Sequence, residues 1–507
     1  MSEFRLSKSR FCEGVQCPKR LWYKKHMPEA FDESTLDQGV LDNGNEVGKL
    51  AQGLFGEHVV VKDDEDRSNM IKETEKLLAE GKENICEASF SYDNNFCSVD
   101  ILRNFKNKEV ELYEVKSSTD PSEIYKYDIA FQYYVLKQLG YNVKKACLVH
   151  LNKEYILEGE LDIHKLFKID DYTQISEDLL SYVEENIKKF KEYAVLEKEP
   201  ECEVGAFCFG VAKKSYECGY RKVCHKKLPK DGTLTVFDIA GLNKKTKIKL
   251  YNKNIITFQD VYNANVITNE KQNEQVEFYV KDLPPKVNKK EIKEFLDKLK
   301  YPQFYLDFES VQSPIPIYQK TNSYQQVVTQ YSLHIIEKEG GEIQHKEFLA
   351  YPDSNVVKDV ATQLIKDIPK EKGGSVIVYN KSFENTRMKE MIEMYPEFTD
   401  GLQSIIDRVQ DLDEPFKQHS YYEKALNGSH SIKSVLPTLC PNDPSLDYHA
   451  LEGVQNGNEA KNEFLKMRFM DKEELEKSRA GLLKYCCLDT LAEVKVVERL
   501  KEIVNEN

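Results

Sequence analysis

The chain has 507 residues, of which 40% are hydrophobic and 31% charged, the balance of an ordinary globular protein with room for about three domains of roughly 150 residues. No run of about 18 apolar residues is present to cross a membrane. The N-terminus MSEFRLSKSRFCEGVQCPKRLWYKK lacks the unbroken apolar stretch of a secretion signal, so a cytoplasmic location with no membrane partner is expected.

A net charge of −14 excludes a uniformly basic surface but not a local one, because carboxylates gather where cations are held. Basic stretches occur at Lys19-Arg20 through Lys24-Lys25, at Lys244, Lys245 and Lys249, and between Lys286 and Lys300. Without a secretion signal, the 12 cysteines read as thiols or metal ligands rather than a disulfide framework. Cys86, Cys97 and Cys147 lie in apolar runs and are expected as buried thiols, whereas Cys202, Cys208, Cys218 and Cys224 crowd together.

Met70, Ile71, Thr74, Leu77 and Leu78 recur at helical spacing over 66–80, and Gly81 ends the pattern. Strands are predicted at 86–92, 97–105 and 109–118, then a helix at 123–139 stopped by Gly140 and a strand at 143–151. Asp100 falls in the second strand, and Glu114 and Lys116, two apart, share a face of the third. Two carboxylates on neighbouring strands suit a Mg²⁺ that retains several waters, with Lys116 set to orient water or stabilise developing charge.

This α-β-β-β-α-β order with Asp100 and Glu114-Val-Lys116 resembles the PD-(D/E)xK nucleases of the RecB type, particularly their CRISPR-adaptation and AddB-like branch. The resemblance covers 1–228 and implies a restriction-endonuclease-like domain. It implies a role for Gln132, in AFQYYVLKQLG, beside the site. It also implies an early metal ligand at Glu46, in GNEVGKLA, with His58 the runner-up. In that branch one early and three late cysteines hold a four-iron four-sulfur cluster, which implies Cys17, Cys208, Cys218 and Cys224 here, with Cys12 and Cys202 spare. The gap between Cys208 and Cys218 is longer than the two residues usual there. Four thiolates suit either the cluster or structural Zn²⁺, and the expected role is a staple joining the ends of the domain.

A long helix is predicted at 174–196, and then residues 229–300 read as a small, mainly helical linker. Two short helical patterns within it resemble a helix-hairpin-helix, with Asn254 where that hairpin usually has glycine. Beyond it come a strand at 303–309, a hairpin across Gly340-Gly341, a strand at 374–379, and helices at 355–367, 384–394, 473–486 and 490–503.

Asp307 and Glu309 share a strand face, Asn380-x-x-Phe383-Glu384 follows a strand, and Tyr485 and Asp489 stand four apart on a helix. Four such carboxylates suit two cations about 4 Å apart, with Tyr485 orienting the attacking water. The set resembles the RNase H-like DEDD exonucleases of the tyrosine subtype over 301–507, except that Glu384 stands where Asp is usual. Ser429 to Lys433 is a candidate substrate contact or a helix start.

The two halves together resemble a bacterial family of fused nucleases. The resemblance supplies no substrate; the expectation drawn from both sites is an α/β protein, a Mg²⁺- or Mn²⁺-dependent DNA nuclease acting on single strands or duplex ends in repair, recombination or defence. An RNA exonuclease, or a nucleic-acid-binding scaffold with decayed sites, is the alternative.

Overall fold

The apolar residues of NICEASFSY and NFCSVDILRN alternate across a pleated surface, and both segments are strands in the computed structural model. The structure describes residues 4–36, 38–205, 208, 218–441, 443, 454 and 456–506. It is α/β throughout and divides into two units, Met1–Leu228 with Ser313–Tyr324, and Pro229–Gln312 with Gln325–Asn507. Among the described residues no helix is long and apolar enough to cross a membrane.

The first unit is built on β1 (Leu6–Ser7), β2 (Val59–Val60), β3 (Asn84–Tyr92), β4 (Asn95–Asn104), β5 (Glu109–Lys116), β6 (Asn142–Leu151) and β7 (Phe167–Asp171). They form one sheet in the order β2-β3-β4-β5-β6-β7, with β1 beside the start of β4. The pair β5/β6 is parallel while β3/β4, β4/β5 and β6/β7 are antiparallel. One face packs on α1 (Lys8–Gln16), α4 (Arg67–Ala79), α5 (Tyr125–Gln138) and α6 (Leu180–Ala194), where Phe11 stacks on Phe131 with ring centres 5.0 Å apart. A Cβ on Gly14 would lie 2.6 Å from the Phe190 ring, so glycine is what lets α1 approach α6. Another core gathers Val47 of α3 (Gln38–Ala51), Ile101, Tyr113 and Val149 with Ile315 from the later segment. The predicted strands and the helices 66–80 and 123–139 are all found. The predicted 174–196 helix is instead two, Thr173–Asp178 and α6.

In the second unit the sheet order is β11-β10-β9-β12-β13, formed by β9 (Gln303–Val311), β10 (Val327–Ile336), β11 (Ile343–Leu349), β12 (Ser375–Val378) and β13 (Val409–Asp411); a separate ribbon pairs β8 (Lys286–Val287) with β14 (Tyr421–Tyr422). Alternation on β10 separates the two faces. Tyr331 bonds Asp367 of α9 (Val356–Asp367), and Ser332 bonds Thr490 of the last helix, which follows α10 (Lys381–Met394) and α11 (Ile432–Leu439).

Two helices were expected at 473–486 and 490–503; the structure has one, α12 (Lys472–Asn505), 34 residues long. No glycine or proline follows Gly481 to stop it, and a capping box of Asp471 with Glu474 starts it. The segment 229–300 is not a free linker, because Ile292, Phe295 and Leu299 enter the core formed with Tyr305, Ile377 and Val494. Helices Lys244–Asn252 and Phe258–Ala264 flank a turn in which Asn254 takes φ 62°, a conformation that asparagine tolerates after glycine.

Candidate active sites

In the first unit, β4 and β5 are in register from Ile101 opposite Tyr113 to Asn104 opposite Val110. One residue before that ladder, Asp100 Oδ2 accepts the Val115 N–H at 2.7 Å. This bond fixes the carboxylate beside Glu114, whose side chain is 2% exposed. Lys116 Nζ donates to Glu114 Oε1 at 2.6 Å and to Asp128 Oδ2 at 2.7 Å. Gln132 Nε2 donates to Glu114 Oε2 at 2.7 Å and Asp128 Oδ1 at 3.2 Å. Asp100, Glu114, Lys116 and Gln132 are therefore brought together.

Glu46 is not among them. Val47 turns into the core, so its neighbour Glu46 is left exposed on α3, and the runner-up His58 is exposed as well. The early residue that reaches the carboxylates is Lys8, at the start of α1. Its Nζ lies 3.2 Å from Asp100 Oδ1 and 2.9 Å from Glu114 Oε2. Lys8 carried no local sequence signal, whereas Asp128 did, being four residues before Gln132 on one helix face.

Burial raises the Glu114 carboxyl, but the ammonium groups of Lys116 and Lys8 outweigh it and hold the group well below its ordinary range. Asp100, half-buried and beside Glu114, is pushed up to about 6 by desolvation and by that neighbouring charge. Glu87, adopting φ 59° where β3 skips a pairing, is pushed up to about 7 by burial and then by Asp100. Three carboxylates face two ammonium groups, and Glu87 adds a further acid, which leaves the site short of positive charge.

Cys17, Cys208, Cys218 and Cys224 line one small cavity with Lys19, Arg20 and His225. Cys218 N–H donates to Cys208 O at 3.3 Å, and burial pushes Cys208 up to about 12. Of the spare thiols, Cys202 interacts with Cys17, while Cys12 feels Asp128 and Lys116 instead. Cys12 therefore belongs beside the carboxylates. Residues 209–217, between Cys208 and Cys218 in the sequence, lie outside the described residues.

In the second unit, Asp307, Glu309 and Asp489 each offer a carboxylate oxygen within 4.8 Å of the others. They border a cleft of about 880 Å³ with Tyr485, Asn380, Glu493 and the whole Ser429 to Lys433 segment. Ser431 caps α11 there by accepting the Lys433 N–H. Asn380 takes φ 74° at the start of α10, and its N–H donates to Asp411 Oδ1 at 3.0 Å.

Glu384 stands apart from the trio. Its side chain is buried, with Oε2 lacking a hydrogen-bond partner, and it acts on Asp307 through charge. Glu493, not expected from sequence, is likewise buried with an unpartnered Oε2. Its signal was available, since it follows Asp489 by one helical turn. Burial and then the Asp489 charge push Glu309 up to about 8. Burial, Asp489 and Glu309 raise Asp307 well above its usual value. Such a cluster lowers its energy by taking up protons or cations.

A family profile described as a domain of unknown function, DUF2779, matches residues 304–431, from β9 to the cap of α11. The chain is 30% identical over 230 residues to "Uncharacterized protein MG366" of Mycoplasma genitalium, covering 42% of this chain and 34% of that protein. It is 28% identical over 222 residues to the MG366 homolog of Mycoplasma pneumoniae, covering 41% and 33%, and 30% identical over 227 residues to "Uncharacterized protein UU173" of Ureaplasma parvum, covering 41% and 32%. The matched region thus spans about a third of the length of these relatives. No solved structure matches the chain.

Proposed function

We propose that this protein is a cytoplasmic, Mg²⁺- or Mn²⁺-dependent nuclease that hydrolyses phosphodiester bonds at DNA ends, with a PD-(D/E)xK fold of RecB type in its first unit and an RNase H-like exonuclease fold in its second. The observation that carries the reading is the trio Asp307, Glu309 and Asp489, with ligand oxygens within 4.8 Å of one another at the edge of an open cleft. Oxygen-only donors suit Mg²⁺ or Mn²⁺. A bound divalent cation would neutralise charge on the scissile phosphate and acidify a water for attack on phosphorus, with the P–O bond to the leaving oxygen breaking in line.

The remaining work falls to the chain's own groups. Tyr485, on the same helix face as Asp489, orients the water. Lys433 and the amides at the start of α11 receive the phosphate. Glu384 and Glu493 add negative charge that favours a second cation. In the first unit, Asp100 and Glu114 hold the cation, while Lys116, pinned by Glu114 and Asp128, stabilises the charge that develops on the phosphate. Gln132 keeps Glu114 and Asp128 in place.

Four thiols around one cavity, lined also by Lys19 and Arg20, fit an anionic four-iron four-sulfur cluster held by Cys17, Cys208, Cys218 and Cys224, with Zn²⁺ the alternative. Its role is a staple rather than a reactant.

A second reading, nucleic-acid binding without cleavage at the first site, is favoured by one contact: Lys8 Nζ already lies between Asp100 and Glu114. End-labelled single- and double-stranded DNA and RNA incubated with Mn²⁺ separate these readings. Lys116→Ala and Asp307→Ala should each abolish one component of DNA cleavage. Cleavage preserved in both variants sinks both assignments, loss in Asp307→Ala alone supports the scaffold at the first site, and activity confined to RNA replaces the DNA assignment.

A further inference from the structure

We propose that His334, His345 and Cys487 form a zinc site in the second unit, distinct from the acidic trio and built from different ligand chemistry. One donor atom from each of the three residues lies within 4.8 Å of the other two. His334 and His345 are directly opposite in the β10/β11 ladder, with ring centres 4.5 Å apart. Cys487 comes from α12, and its Sγ is 3.9 Å from His345 Nδ1. Zinc bonds of about 2.0 Å to nitrogen and about 2.3 Å to sulfur put tetrahedral ligand atoms roughly 3.5 Å apart. The existing separation therefore needs only a small closure.

The opposite nitrogens of both rings are already occupied. His345 Nε2 lies 3.0 Å from Ser332 Oγ, Ser332 Oγ lies 2.6 Å from Thr490 Oγ1, and Thr490 Oγ1 lies 2.8 Å from His334 Nδ1. Both hydroxyl residues are fully buried. This chain of hydroxyls orients the two imidazoles and leaves His345 Nδ1 and His334 Nε2 as the available lone pairs. Metal-binding histidines are held in this way, by a hydrogen bond to the nitrogen that does not bind.

Two nitrogens and one sulfur select a borderline-soft divalent ion, Zn²⁺, over the hard cations suited to oxygen-only sites. The fourth position is open to water. Glu347, two residues along β11, adds a negative charge 4.0 Å from His345 Nε2. A bound ion would tie the β10/β11 hairpin to α12 two residues before Asp489. The ion's presence does not depend on the nuclease reading, and its loss can be measured without any activity.

Full-length protein would be loaded with Zn²⁺, dialysed against a weak chelator, and its metal counted per chain. His345→Asn and Cys487→Ser should each lose the same single zinc. Cys218→Ser and Asp307→Ala should retain it, because the cysteine cavity and the acidic trio are other places. Cobalt exchanged into the protein should give a thiolate charge-transfer band that disappears in Cys487→Ser. Alkylation mapped by mass spectrometry tests the unaltered protein: Cys487 should be protected with zinc and should label after strong chelation. Equal zinc in wild type, His345→Asn and Cys487→Ser overturns the site. So does Cys487 labelling at the same rate with and without zinc, which would leave only a stacked histidine pair beside a thiol.

Discussion

Lys8 places an ammonium group against two buried or half-buried carboxylates, and its removal leaves Asp100, Glu114 and Asp128 facing Lys116 alone. Breaking a buried charge pair from one side costs about 3 kcal/mol or more. Lys8→Ala should therefore lower the metal-free stability of the first unit by about that amount in urea denaturation, and Mn²⁺ should restore it by taking the place of the lost charge. A variant as stable as wild type without metal would refute the role given to Lys8. This residue also marks where sequence reading stops. Asp100, Glu114 and Lys116 were legible because strand periodicity assigns their faces, and Asp307, Glu309, Tyr485 and Asp489 for the same reason of period. Lys8 reaches Glu114 across 106 positions, a contact set by how α1 enters the fold and written in no local pattern. Glu46 went astray for the converse reason, since the helix was recognised but its rotation is fixed by the burial of Val47.

At the level of elements, α9 buries Val360, Ala361 and Leu364, and its last residue, Asp367, bonds the sheet directly. Asp367 accepts from Tyr331 Oη at 2.7 Å, Lys346 Nζ at 2.8 Å and Gln363 Nε2 at 3.1 Å. Burial opposes ionisation, but the bonds from Lys346, Tyr331 and Gln363 prevail and lower the carboxyl below its ordinary value. A lowered acid stabilises the folded state above the unfolded pKa of about 3.9 and loses that contribution as pH falls through the folded value. Asp367→Asn should thus cost about 2 kcal/mol at neutral pH and progressively less in acid, as read from denaturation midpoints at the two extremes; a cost independent of pH would contradict the assignment.

The cleft wall has a comparable dependence at Gly428, which takes φ 73° and whose absent Cβ would sit 2.6 Å from Gln275 Cδ and 2.8 Å from Ala240 Cβ. Gln275 in turn binds Ala240 N, Asp238 O and Asn427 O. Gly428→Ala should cost roughly 1–3 kcal/mol and weaken oligonucleotide binding measured by anisotropy, because Ser429 to Lys433 follow directly. Unchanged binding and stability would mean that the wall yields.

For the molecule as a whole, the strand and helix sequence of residues 66–151 was readable from periodicity, as were the hairpin at Gly340 and the strand before α10. What escaped was assembly. Residues 229–300, polar enough to read as a connection, carry buried apolar positions from Val236 and Phe258 to Ile292 and Phe295. Two predicted helices proved to be one because a motif boundary is not a helix stop. The cysteine cavity makes a prediction at this scale: anaerobically purified protein should be brown, and Cys218→Ser should bleach it and lower the thermal midpoint of the first unit. A colourless wild type with one tightly held zinc at the four cysteines would establish the alternative metal.

The segment Ser313–Tyr324 belongs to the first unit although it is encoded after residues 229–312, which belong to the second. Ile315 fills its core, Leu157 exchanges backbone hydrogen bonds with Lys320 and Thr321, and Tyr324 Oη donates to Ser117 O at 2.7 Å, next to Lys116. Domains generally fold in the order in which the ribosome releases them. Here the N-terminal unit cannot finish when residue 228 emerges. It must wait, partly open, until a stretch belonging to the later unit has been synthesised.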